Sequence, residues 1–150
     1  MPEMTGGCLC GQVRYSANGE PAFVGVCHCR NCQKQTGTAF SVLVGVPKTA
    51  MSLQGRLKTF RDKGDSGQPV DRNFCPECGS PIFTDVAVMP GLAFIKAGTL
   101  DDTSCSIPKC TSIATARSTG LTYQKEVKRS GRCPRSFQSI SDLSRRILKN

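Results

Sequence analysis

Ten cysteines stand in a chain of 150 residues, and seven of them fall into three tight groups. These are Cys8-Leu9-Cys10, Cys27-His28-Cys29-Arg30-Asn31-Cys32 and Cys75-Pro76-Glu77-Cys78. Such density implies either a disulfide scaffold or metal ligation. Disulfide scaffolds belong to oxidising compartments and usually follow a secretory signal. The opening MPEMTGGCLCG has neither a basic nor an apolar leader region, and no stretch reaches the ~18 apolar residues of a membrane span. The expected compartment is therefore the cytosol or the nucleus, where thiols stay reduced and clustered cysteines bind metal.

The spacing divides the seven into two sites. Cys8 and Cys10, at i and i+2, present two thiolates to one side if the segment is an extended strand. Cys75-Pro76-Glu77-Cys78-Gly79 is a CPxCG knuckle, whose Pro-initiated turn gathers two sulfurs. Two and two make the four thiolates of a closed, structural zinc site. That metal would close a loop of about 65 residues, a length at which a clip gains most against chain entropy. Cys27, Cys29 and Cys32 offer three thiolates, and a zinc with three protein ligands keeps an open position, the mark of a catalytic site. His28 lies between two cysteines that point together, so its ring is expected to point away from the metal.

Charge decides what suits the open position. Zinc with three thiolates carries a net charge of about −1, which makes it a poor generator of hydroxide. It can still hold and deprotonate a thiol. Thiol chemistry is therefore expected, with Arg30, Lys34 and Arg72 as candidates to meet the carboxylates of an acidic thiol such as glutathione.

Residues 1–100 read as short strands between Gly and Pro punctuation. They include GQVRYS, AFVGVC, AFSVLVGV, LKTF, IFTDVAV and LAFIKAG. Residues 61–71, RDKGDSGQPVD, read as a polar loop. A short helical turn is expected from Cys29 through Gln35 to Gly37. A second helix is expected in SISDLSRRILK, where Ile140, Leu143, Ile147 and Leu148 share one face. The fold class is mainly β. The net charge of +9 is uneven, with 10 Lys+Arg against 7 Asp+Glu in residues 1–100 and 10 against 4 in residues 101–150. With few aromatics and no recognisable nucleic-acid motif, the basic end reads as a solvated terminus rather than a nucleic-acid arm.

The blocks GGCLCGQVRY, CHCRNCQKQTGTAF, RNFCPECGSPIF and AGTLDD resemble, in order and spacing, the glutathione-dependent formaldehyde-activating enzymes, also called the centromere-protein-V/GFA domain family. The resemblance covers roughly residues 5–102. It implies a β-tent fold similar to Mss4, with a structural zinc on Cys8, Cys10, Cys75 and Cys78 and a catalytic zinc on Cys27, Cys29 and Cys32. It also implies carbon–sulfur lyase chemistry with glutathione as co-substrate, joining glutathione and formaldehyde to S-(hydroxymethyl)glutathione. The alternative, from another class, is a zinc-stabilised binding module that associates with chromatin. Members of the family continue past the LDD block with a His and a Trp. Here SCSIPKCTSIATARSTGLTYQKEVKRSGRCPRSF has neither, which suggests a reading-frame or splice-site change after Asp102. Residues 1–102 are therefore read as the zinc domain and 103–150 as a divergent basic end, in which Cys105, Cys110 and Cys133 are incidental thiols.

Overall fold

The computed structural model describes residues 3–64 and 66–106. Among the described residues, nine strands form two antiparallel sheets. The smaller has the order β1-β2-β5, from β1 (Glu3–Gly7), β2 (Arg14–Asn18) and β5 (Met51–Gln54). The larger has the order β3-β4-β9-β8-β7-β6. Its strands are β3 (Phe23–Cys27), β4 (Ser41–Pro47), β6 (Lys58–Lys63), β7 (Pro69–Phe74), β8 (Pro81–Val86) and β9 (Leu92–Lys96). A short helix, α1 (Arg30–Thr36), joins β3 to β4.

Alternation along the central strands explains the layers. In β4, Val44 and Val46 pack with Met4, Tyr15 and Ala17 of the small sheet, while Leu43 faces the opposite side. In β9, Ala93 and Ile95 share that first core, whereas Leu92 and Phe94 join Leu43. Period-two side-chain direction thus gives the large sheet two buried faces. One lies against the small sheet. The other carries Cys27, Cys32 and Met89 and receives Phe23, whose ring meets Phe94 edge-on at 6.3 Å. Gly6 is required where β1 passes the Thr99–Leu100 segment, because a Cβ there would collide with the Tyr15 ring and the Thr99 carbonyl.

Two features differ from the sequence expectation. Residues 61–71 are not a loop: β6 and β7 pair from Lys58↔Phe74 to Lys63↔Pro69, and only the turn between them is irregular. LKTF reads as a strand and gives the first half of β6; the rest of this exposed edge strand is charged and reads as loop. Cys8 and Cys10 are not in a strand either. They lie in the β1–β2 turn, where Gly11 takes φ 78° and donates to the Cys8 carbonyl at 3.1 Å. The expected helix over Ile140–Leu148, Cys110, Cys133 and the Cys105 side chain lie outside the described residues.

Asp101 ties the end of the described chain to β1 and β2. It accepts hydrogen bonds from Arg14 Nη1 at 2.9 Å and Thr5 Oγ1 at 2.7 Å. The guanidinium, and after it the Thr5 hydroxyl, hold its carboxyl at about 2. A depressed carboxylate contributes stability that is complete above its ordinary value of ~3.9 and lost as pH falls towards 2. Both partners are nearly half exposed, at 47% and 46%, so solvent keeps the effect small. The expected result for Asp101→Asn is a slight stability loss at pH 7 that vanishes by pH 2, read as the difference between variant and wild type in urea unfolding at each pH. A difference constant from pH 7 to pH 2 would contradict this assignment.

Candidate metal centres

The β1–β2 turn and the β7–β8 turn meet at one end of the two-sheet core. Their four thiols, Cys8, Cys10, Cys75 and Cys78, have all Sγ atoms within 4.8 Å of one another. Cys8 Sγ lies 3.4 Å from Cys10 Sγ, which lies 3.7 Å from Cys75 Sγ. Each turn is closed by its own backbone. Cys8 N donates to the Val13 carbonyl, and in the second turn Cys75 N donates to Ser80 O and Gly79 N to Cys75 O. Gly79 adopts φ 74°, the left-handed exit that the knuckle needs. Ser80 joins the turns, its Oγ accepting from Leu9 N at 3.0 Å and lying 3.2 Å from Cys78 Sγ. Hydrogen bonds from the Ser80 hydroxyl and then its backbone N–H hold Cys78 down to about 5. Against a lowering backbone hydrogen bond from Gln12, burial and the neighbouring thiols Cys8, Cys78 and Cys75 push Cys10 up to about 12.

The second group sits at the C-terminal end of β3. Cys27 is the last residue of that strand, Cys29 is the N-cap of α1, and Cys32 is in its first turn. The Cys29 Sγ accepts from Cys32 N at 3.3 Å, so a thiol takes the place usually held by a Ser or Asp cap. Gly37 ends the helix in the left-handed region, as the sequence suggested. All three Sγ atoms lie within 4.8 Å of one another, and no fourth ligand joins them among the described residues. His28 turns its ring to Phe40, with centroids 5.7 Å apart. Donating to Cys29 and Cys32, and then burial, push the Cys27 thiol far up, while accepting from Cys27 and Cys29 holds the Cys32 thiol far down. A divalent metal bound here would deprotonate the coordinating thiols. Both donor sets fit zinc, which favours tetrahedral thiolate ligation.

Arg30 and Lys34 are exposed on α1, next to the three-thiolate group. Arg72 is buried at 6% exposure. Its Nε and Nη2 donate to Asp62 Oδ2 at 3.1 and 3.0 Å, and its Nη1 to Gln35 Oε1 at 2.9 Å. It lies near enough to Cys32 to add to the lowering of that thiol, which Cys27 and Cys29 chiefly cause. Arg72 therefore faces the cysteines rather than standing free at the surface. Asn31 adds a bond to Asp62 at 3.0 Å, which fastens α1 over the sheet. Gln35 Nε2 and Thr84 Oγ1 are buried without a hydrogen-bond partner among the described residues, a pattern that marks room for water or a polar ligand atom. Sequence reasoning missed Lys96. The only signal was a lone cation inside the apolar run LAFIKAG.

Fold and sites together define a mainly β protein with one four-thiolate and one three-thiolate cluster of metal-binding geometry. The family described as "Glutathione-dependent formaldehyde-activating enzyme" matches residues 3–116. The chain belongs to that family. Proteins of Aspergillus flavus and Aspergillus oryzae, each named "Putative glutathione-dependent formaldehyde-activating enzyme", are 32% identical to it over 95 residues. The alignments cover 60% of this chain and 49% of theirs, so the chain spans about half the length of the curated relatives it matches. A crystal structure of a Rhodobacter sphaeroides protein shares the fold, with a TM-score of 0.53 and 17% identity over 65% of this chain and 88% of that one. Among the described residues, no helix is long and apolar enough to cross a membrane.

Proposed function

We propose that this chain is a zinc-dependent carbon–sulfur lyase acting on glutathione–aldehyde adducts, with glutathione as co-substrate. One observation carries the reading. Cys27, Cys29 and Cys32 converge on one point with three donors and no fourth among the described residues. A protein that needed zinc only for its fold would be served by the four-thiolate cluster alone. Zinc at the three-donor site supplies a position at which an incoming thiol is held as thiolate. The chain's own residues do the rest. The trio fixes the position at the end of β3, Arg72 ties Gln35 of the helix to Asp62 of β6, and Asn31 also holds the helix that carries two of the ligands. Arg30 and Lys34 are placed to meet glutathione carboxylates from the exposed side. Clustered reduced thiols favour the cytosol or nucleus as the working compartment. We take residues 1–102 as the zinc domain and the basic remainder as a divergent end of it.

The test begins with native mass spectrometry of the reduced 150-residue chain, for which two zincs are expected. Exchange NMR on glutathione with formaldehyde then reads whether the protein speeds formation and breakdown of S-(hydroxymethyl)glutathione beyond the spontaneous rate. One zinc and no acceleration would place the chain with zinc-stabilised binding modules instead.

A further inference from the structure

Lys96 is a buried cation that the proposed chemistry has not used. It is only 4% exposed, at the end of β9. Register places it. Cys27 pairs with Ser41, and Leu43 pairs with Lys96. Ser41 and Leu43 are two apart in β4, so all four residues share one face of the large sheet, the face covered by α1. The Lys96 ammonium reaches Ser41 Oγ at 3.4 Å, a long contact and its only hydrogen bond among the described residues. No carboxylate of the described residues forms an ion pair with it. Burial and the neighbouring Arg72 disfavour its charge, and the sulfurs of Cys32, Cys27 and Cys29 favour it.

A buried ammonium without a carboxylate is costly and needs an anion nearby. Arg72, the other buried cation on this face, is already matched by Asp62 at 3.0 Å. Lys96 is therefore unmatched positive charge beside the three-thiolate site. Three thiolates on a divalent cation sum to −1, and a thiolate in the open position would bring the centre to −2. In a low-dielectric surrounding that second charge needs an adjacent cation.

We propose that Lys96 is a positioning residue that sets the ligand preference of the three-thiolate site, favouring an anionic fourth ligand, a thiolate, over a neutral one. This rests on the thiol-binding reading above, and the test separates the two. The full chain is loaded with cobalt, whose absorption reports a change of fourth ligand. It is titrated with 2-mercaptoethanol, which has no carboxylate, and in parallel with imidazole, a neutral ligand. In Lys96→Met, thiol affinity is expected to fall at least about tenfold with cobalt content and imidazole affinity unchanged, and Lys96→Arg is expected to restore thiol binding. Equal thiol affinity in Lys96→Met, or a parallel fall for both ligands, would overturn the proposal. So would loss of cobalt from that site, which would assign Lys96 to building the centre. If the wild-type spectrum responds to neither thiol nor imidazole, the open position itself is refuted, and the lyase reading falls with it.

Discussion

Replacing Cys75 with Ser is expected to cost the chain its fold as well as a metal. Cys75 is fully buried, its Sγ stands 3.7 Å from Cys10 Sγ, and 65 residues separate the two in sequence. A clip over that distance constrains the unfolded chain strongly. It also joins the β1–β2 turn of the small sheet to the β7–β8 turn of the large one, so it holds the two layers of the core in register. Binding energy at a structural zinc site is folding energy, on the order of 10 kcal/mol in small zinc domains. Whole-domain stability is about 5–15 kcal/mol. Loss of one ligand should therefore leave little margin. We expect a fall in melting temperature of at least about 15 °C, or no cooperative transition, in heat-monitored circular dichroism. Native mass spectrometry should show the zinc of the four-thiolate site gone. Wild-type melting of Cys75→Ser with that zinc lost would mean that the core holds itself together without the clip.

The two thiol clusters were legible in the sequence because their signals are local. A pair at i and i+2, a third thiol one helical turn later and a Pro-initiated knuckle state their geometry within six residues. The grouping of Cys8 and Cys10 with Cys75 and Cys78 needed only the count of four. Their local conformation did not follow, because the CxC pair lies in a glycine-flanked turn that spacing alone cannot tell from a strand. The second half of β6 and the start of β7 were hidden for another reason. An edge strand solvated on both faces has no period-two hydrophobic signal, and Arg61, Asp62, Lys63 and Asp71 look like loop composition until pairing places them. Lys96 shows the sharpest limit. Its place beside the cysteines depends on β4 lying between β3 and β9, and nothing within LAFIKAG contains that fact. Arg72 was legible as a cation near the knuckle, but its partners Asp62 and Gln35 come from β6 and α1.

Replacing Cys27 with Ser should produce the opposite balance from Cys75→Ser, with activity lost and the fold kept. The three ligands Cys27, Cys29 and Cys32 span six consecutive residues, so their metal closes almost no loop and gains little against chain entropy. The local frame is held by other means. Cys27 belongs to β3, paired to β4 throughout, and α1 is fastened by Asn31 to Asp62 and by Gln35 to Arg72. The variant leaves the Cys29 cap on Cys32 N intact. We therefore expect two zincs to become one, with the melting temperature within a few degrees of wild type, as for the loss of about 1 kcal/mol. Catalysed exchange of S-(hydroxymethyl)glutathione should fall by on the order of 10³ or more, the size of the several kcal/mol that a polarising metal supplies. The two variants together form the decisive comparison. If Cys27→Ser retained the exchange rate, the three-thiolate site would not be where the chemistry occurs. If instead it unfolded as Cys75→Ser is expected to, the site would be a second structural clip, and the difference between a six-residue and a 65-residue span would have been outweighed by the thiols' burial in the second core.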